Sequence, residues 1–375
     1  MTLPSGATIT EFAHGDRVVL VPKAYPDLTR PQNLESMARA NHARFVWVRE
    51  PAGLFAERWT HERMLAEHSQ NTLLRAYYDD LIGVAAQVKP AVVLIMGDGG
   101  YWHPELLDRL KRFAPVAFWT GDDPEGSEIT SRPFVRYYDY AFCGGIYFSR
   151  GVRIEEKFRE WGAPAAKFIP LGACRDKYWP QDGRSDEEFF SRQRDIDVMY
   201  VGAAYKGKLR RVLLLKRHFK DRLFLAGKRW DGRGLGWKGV AVRLFTRLGG
   251  LGRISEITDD QLIALYQRSK IGFNCHLSYG PSNLRTYELP LNGVFQICDC
   301  ADGLRELFEL DREVVAYDRI DEAIEKIEYY LAHEDERAAI ARAGYARAVR
   351  DYPMELSFAR LFAAVDARIG SPQPA

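Results

Sequence analysis

Gly280-Pro281-Ser282-Asn283-Leu284-Arg285-Thr286-Tyr287-Glu288-Leu289-Pro290-Leu291-Asn292-Gly293-Val294-Phe295-Gln296-Ile297-Cys298-Asp299 reads as a polar loop, a short helix, a glycine turn and an apolar strand. A helix handing over to a buried strand is half of a βαβ unit, in which successive strands run parallel. Outward from it, apolar runs at 196–201, 222–226, 271–274 and 313–317 predict further strands. Helical spacing covers 209–219, 260–269, 321–331 and 335–349. The first half repeats the pattern, with strands at 17–22, 45–50, 91–96, 115–119 and 140–143 and helices at 30–43, 69–87 and 104–113. The fold class is therefore α/β, with two doubly wound Rossmann-like domains and a ligand crevice expected at the strand C-termini.

Between 170 and 194 the texture turns to Gly, Pro, Asp and Arg with weak periodicity. The expected division is a domain over 1–172, a second over 173–351 and a helix over 352–375. Tyr352-Pro353 breaks the last helical stretch, since proline does not continue a helix, and the final piece is expected to cross back to the first domain.

A chain of 375 residues with 46% hydrophobic and 13% aromatic content can fill two cores. Lys plus Arg at 53 against Asp plus Glu at 51 leaves a net charge of +2, which argues against a general nucleic-acid binder. Five cysteines (Cys143, Cys174, Cys275, Cys298, Cys300) form no CxxC pair, as suits structural thiols in a reducing compartment, and a cytoplasmic location is expected. The first ten residues lack a secretory pattern, and no window approaches 18 apolar residues, so no transmembrane segment is expected.

A helix opening after Ser282-Asn283 offers backbone N–H groups and its positive dipole end to an anion. Arg285 adds a guanidinium suited to phosphate oxygens, and Glu288 can accept hydrogen bonds from two ribose hydroxyls. The same residues also suit an ordinary helix start, with Ser282 as cap and Arg285 and Glu288 as an exposed i,i+3 pair.

Residues 280–299 resemble the distal motif of GT-B glycosyltransferases, in the branch with a "glycosyl transferases group 1" C-terminal domain that includes spore-maturation-type proteins. Residues 262–274 are similar to the helix and strand before that motif, and 332–350 to the closing helix. Ala117-Phe118-Trp119-Thr120-Gly121-Asp122-Asp123-Pro124 resembles a strand and turn of the branch's first domain. The resemblance implies a GT-B architecture, two Rossmann-like domains facing across a cleft, and a nucleotide-diphosphate-sugar donor as co-substrate. No other cofactor is expected. Glu288 matches the ribose-binding glutamate of many retaining relatives; the glutamate eight positions earlier is replaced by Gly280, so retention of configuration does not carry over.

With that resemblance, the loop from Val201 to Arg211 becomes the second phosphate element. Gly202 allows close approach, while Lys206 or Arg210 neutralises the leaving group without a metal. His276, at a strand end, is a candidate to reach the donor. Asp195-Ile196-Asp197 imitates a metal-binding Asp-x-Asp, but the two carboxylates are not expected to converge on one ion. On the acceptor side, Asp98 and His103 are candidate bases and Asp122 an orienting group, against the plainer readings of a turn at 122–124 and a helix start at His103.

Residues 228–253 hold seven basic residues and one acid, with Trp230 and Trp237 interleaved. This stretch suits a peripheral contact with the inner face of a membrane, an anionic partner, or a long loop with its tryptophans packed on the core. The expected function is metal-independent transfer of a sugar to a hydroxyl-bearing acceptor: a glycan, a lipid-linked compound, a protein or a small molecule. The alternatives are a GT-B-fold epimerase or phosphorylase and a non-catalytic sugar-nucleotide-binding protein of a surface layer. The net charge of +2 argues against action on nucleic acid.

Overall fold

The computed structural model describes residues 1–23, 30–54, 61–97, 102–121, 124–174, 177, 185–204, 206–228, 230, 239–240, 257–277, 279–280 and 283–367. The chain divides into two compact units, Met1–Cys174 with Met354–Ala375, and Arg175–Pro353.

In the first unit the strands are β1 (Thr8–Ala13), β2 (Arg17–Lys23), β3 (Ala43–Arg49), β4 (Val92–Met96), β5 (Val116–Thr120), β6 (Tyr140–Cys143), β7 (Tyr147–Ser149), β8 (Val152–Arg153) and β9 (Ala166–Phe168). Seven form one sheet in the order β1-β3-β2-β4-β5-β6-β9, and β7 and β8 form a small hairpin. Every residue of β4 and β5 is buried, as expected of central parallel strands covered on both faces. β1, which the apolar pattern does not reveal, adds antiparallel to β3 at the edge; only Phe12 of its residues is buried.

The helices start where side chains satisfy the free first-turn N–H groups. Asn71 accepts from Leu74 N at 2.9 Å to open Thr72–Val88, and His103 Nδ1 accepts from Glu105 N at 3.2 Å to open Pro104–Lys111. After Pro353 the terminal helix Met354–Asp366 belongs to this unit. Phe358 packs against Phe45 and Trp119 with ring centroids 5.6 and 5.4 Å apart, and Ser357 Oγ donates to Leu171 O at 3.2 Å.

The second unit has β10 (Ile196–Val201), β11 (Leu223–Ala226), β12 (Ser269–Asn274), β13 (Phe295–Cys298) and β14 (Val315–Ala316), all parallel, in the order β11-β10-β12-β13-β14. Val198, Ile271, Phe273 and Ile297 on the strands meet Leu215 and Ile327 on the covering helices to form its core. The chain goes from β10 to one side and then returns to β12 on the other. That reversal opens a crevice at the C-termini of β10 and β12, where doubly wound sheets bind ligands.

Candidate functional site

β10 ends at Val201 and β12 at Asn274. Between these ends lies the guanidinium of Arg285, the first residue of the helix Arg285–Leu291. Its Nη1 donates to Val201 O, its Nε to Asn274 Oδ1 at 3.3 Å, and its carbon centre lies 5.4 Å from the Tyr200 ring centroid. Among the described residues no carboxylate pairs with it, and Nη2 has no protein acceptor. Burial acts to lower its pKa, but Tyr200, Tyr266, Cys275 and Glu288 raise it by more, so the group stays cationic. Glu288 acts on it only through space, so this fixed, partly buried cation has donors left over for an arriving anion.

Gly202 makes room for it. A Cβ there would lie 2.4 Å from Arg285 Nη1. The glycine is held by Gly202 N donating to Ala226 O at 2.9 Å and by Trp230 Nε1 donating to Gly202 O at 2.8 Å. Behind it, Gly227 has φ +128°, and a Cβ on Gly227 would lie 2.4 Å from Gly202 O. Two glycine backbones and the guanidinium are thus stacked in contact.

Asn274 and Asn283 exchange side-chain hydrogen bonds of 3.2 and 2.9 Å. Asn274 Nδ2 also approaches Thr286 Oγ1 and Gln296 Oε1, each at 3.3 Å. Thr286 Oγ1 in turn lies 3.2 Å from His276 Nε2, and His276 Nδ1 lies 2.7 Å from Asp299 Oδ1. Arg211 closes the network, with Nη1 on Asp299 Oδ2 at 2.5 Å and Nη2 on His276 O at 2.6 Å. Burial would raise the Asp299 pKa, but His276 and Arg211 outweigh it and hold it below the ordinary 3.8. A depressed carboxylate contributes stability that is fully present above its unfolded pKa and lost as the pH falls through the folded one. Melting curves of the wild type and Asp299→Asn are therefore expected to differ by a constant amount above the ordinary carboxylate range and to converge as the pH falls below it. A gap that persists unchanged into acid contradicts this assignment.

Glu288 is not an open carboxylate. It is 5% exposed, and its Oε2 accepts from Tyr266 Oη at 2.8 Å. Removing that donor leaves a buried carboxylate short of a partner, so Tyr266→Phe is expected to cost about 1–3 kcal/mol in chemical denaturation. The expectation of open N–H groups at this helix start holds in part. Thr286 N donates to Asn283, and Tyr287 N and Glu288 N to Leu284 O, while Leu284 N and Arg285 N have no acceptor among the described residues. What the site offers an anion is the Arg285 side chain, these N–H groups and the glycine loop.

The structure brings Gly202, Asn283 and Arg285 together and places His276 beneath them, 1% exposed. Arg210 points outward on the helix Lys206–Phe219; its neighbour Arg211, which the sequence reading passed over, turns in. Arg211 could have been found: with Lys208 and Leu215 it repeats at i, i+3, i+7 on the covered face. Lys206 begins that helix, but its side chain lies outside the described residues, as do Ser282, Asp98 and Asp122.

His103 caps its helix through Nδ1, which puts the proton of the neutral ring on Nε2 and sets it against a base role in this arrangement. Asp195 lies just before β10 and Asp197 is its second residue. Both are engaged by cations, Asp195 by Arg268 and Asp197 by Arg222 and Lys270. Of 228–253 only 228, 230, 239 and 240 are described, and Trp230 is packed inside, 2% exposed.

Two sets of ligand-type side chains come close among the described residues: His68, His103 and Glu105, and His276, Asp299 and Cys300. In the first the imidazoles stack 3.8 Å apart at 10°, so their in-plane lone pairs do not converge. In the second the Arg211 guanidinium occupies the carboxylate. No described helix is long and apolar enough to cross a membrane.

Residues 208–362 match a family model described as Glycosyl transferase-like. No curated protein sequence matches the chain. Among solved structures it is similar to the sucrose-phosphate synthase of Thermosynechococcus elongatus, at 14% identity and TM-score 0.62, covering 94% of this chain and 99% of that one. It is also similar to Anabaena HepE in complex with UDP-glucose, at 13% identity and TM-score 0.59, with 94% and 99% covered. A putative UDP-N-acetylglucosamine 2-epimerase from Listeria monocytogenes matches at 14% identity and TM-score 0.53, with 94% and 96% covered. At these identities the likeness shows the fold, which is GT-B.

Proposed function

We propose that this chain is a glycosyltransferase that takes its sugar from a nucleotide-diphosphate donor held on the second unit. The observation that carries the reading is the Arg285 guanidinium, fixed at the reversal point of a parallel sheet, with no carboxylate hydrogen-bonded to it among the described residues, beside a glycine that leaves its face open. A diphosphate supplies the charge and the paired oxygens such a group binds best. As the glycosidic bond breaks, negative charge grows on the leaving diphosphate, and a preorganised guanidinium stabilises it there without a metal. The family match over 208–362 includes Arg285 and Glu288, and solved GT-B structures include one holding UDP-glucose. The ribose role of Glu288 rests on resemblance, since the side chain is engaged by Tyr266. The same holds for membership of the spore-maturation-type branch.

The acceptor is proposed to bear a hydroxyl, deprotonated by Asp98 or by His103 once released from its cap, with Asp122 orienting. A cytoplasmic enzyme with a peripheral membrane contact through 228–253 fits this reading. Thermal shifts against nucleoside diphosphates and nucleotide sugars, with and without EDTA, test it. A shift that survives EDTA, together with transfer to an added acceptor, supports the proposal. The fold is shared with a structure described as a putative epimerase, so conversion of donor alone selects that activity instead, and binding with neither transfer nor conversion selects a non-catalytic role.

A further inference from the structure

The sheet of the first unit reverses as that of the second does. The chain passes from β2 to β3 on one side and then to β4 on the other, so a crevice opens at the C-termini of β2 and β4. Two histidines come together at this edge. His103 follows β4 and opens the helix Pro104–Lys111. Tyr77 Oη, 2.9 Å from Pro22 O and 3.0 Å from Val48 O, brings the start of the helix Thr72–Val88 to the same ends of β2 and β3. His68 lies just before that helix and stacks on His103, ring centroids 3.8 Å apart at 10°, with the Tyr78 ring 5.5 Å away.

The two imidazoles differ in what their lone pairs do. His103 Nδ1 accepts from Glu105 N, and the residue is fixed further by its own N–H, which donates to Tyr78 Oη at 3.2 Å. Neither ring nitrogen of the half-buried His68 has a hydrogen-bond partner among the described residues, so its neutral ring keeps a lone pair for a ligand. Burial lowers its pKa below the ordinary 6.5; Glu105 opposes this, while Arg75 and Arg109 add to it, so the ring is neutral at neutral pH. Arg109 is itself paired with Asp79 at 3.0 Å, and Glu67, beside His68 in the chain, with Arg63 at 2.7 Å. A carboxylate oxygen of Glu105 and a nitrogen of each imidazole lie within 4.8 Å of one another. Glu105 is thus near enough to stabilise an imidazolium formed on His68.

We propose that His68 is the acceptor-side general base and Glu105 its positioning carboxylate. The inference rests on the glycosyltransferase reading above and moves the base from His103 to the ring stacked on it. A ring nitrogen of His68 takes the proton of the acceptor hydroxyl as the oxygen bonds to the anomeric carbon. The bond from that carbon to the diphosphate breaks, its electron pair stays on phosphate, and the imidazolium later gives its proton to solvent. Direct displacement by an activated hydroxyl inverts the anomeric centre.

Water can serve as acceptor, so UDP release from UDP-glucose, or from whichever nucleotide sugar shifts the melting temperature, reads the step. Wild-type kcat/KM is expected to rise with pH along a limb that matches the His68 titration seen by nitrogen-15 NMR of the ligand-free protein, with a midpoint below 6.5, and to be flat above it. His68→Gln is expected to lower the rate about 100-fold while leaving UDP affinity unchanged. Glu105→Gln removes the influence that raises the pKa, so its limb is expected to move to lower pH, which a merely structural role would not produce. The sugar first released is expected to carry the configuration opposite to the donor's. An unchanged rate in His68→Gln, a His68 ring charged at neutral pH, or release with the donor's own configuration overturns the proposal. Should His68→Gln fail to fold, His68→Phe keeps a stacked ring without a lone pair, and the same loss is expected; a retained rate overturns the proposal. A wild type that releases nucleotide from no nucleotide sugar refutes the transferase reading and the base with it, whereas turnover that survives His68→Gln refutes the base alone.

Discussion

Arg285→Ala is expected to lower affinity for a nucleoside diphosphate by roughly 100-fold, close to 3 kcal/mol, while changing the melting temperature little. The binding loss follows from removing charge-assisted hydrogen bonds to phosphate, each worth about 1.5–3 kcal/mol when solvent is excluded. The small stability change follows from two opposed effects. The variant loses bonds to Val201 O and Asn274 Oδ1, but it also relieves a partly buried cation that has no carboxylate partner among the described residues. Arg285→Lys is expected to fall between, since an ammonium keeps the charge but cannot reach Val201, Asn274 and a phosphate with one planar fork. Isothermal titration with UDP alongside calorimetric melting checks the pair of effects. A variant that melts far lower and binds nothing would show that Arg285 holds the fold rather than the ligand.

Gly227→Ala is expected to have the largest effect on stability of any small change near the site. Its φ of +128° is a conformation alanine avoids, and the added Cβ would lie 2.4 Å from Gly202 O and 2.7 Å from Gly202 C. Both obstacles are backbone, so no side-chain rotation relieves them. Moving Gly202 breaks the bond from Trp230 and shifts the loop against Arg285. A cost of about 3 kcal/mol is expected, which lowers the melting temperature by roughly 6–12 °C for a domain of this size. Gly202→Ala meets the movable Arg285 side chain instead and is expected to weaken nucleotide binding more than stability. If Gly227→Ala melts with the wild type, the contact between the two glycines is not as described.

The central strands were legible because β4 is a continuous apolar run and β5, β10 and β13 carry a single polar residue each, Thr120, Asp197 and Gln296. β1 was not, since an edge strand with one buried residue carries too little apolar signal, and β9 is only three residues long. The site was legible in part. Gly202 and Arg285 are far apart in sequence, but a doubly wound sheet brings the end of its first strand to the end of its third, and both positions were readable against that topology. Arg211 turns inward and Arg210 outward because adjacent helical residues face about 100° apart, and only the buried positions Lys208, Val212 and Leu215 say which is which. Glu288 reads as an open ribose ligand on the sequence. Its partner Tyr266 comes from another helix 22 residues earlier, a tertiary pairing that local pattern does not encode.

The most direct test of the donor site is a crystal structure of the protein with UDP bound. The account predicts diphosphate oxygens roughly 3 Å from Arg285 Nη2, lying over Gly202 at the C-termini of β10 and β12. A nucleotide seated elsewhere, with Arg285 still turned to Val201 and untouched by phosphate, would contradict it.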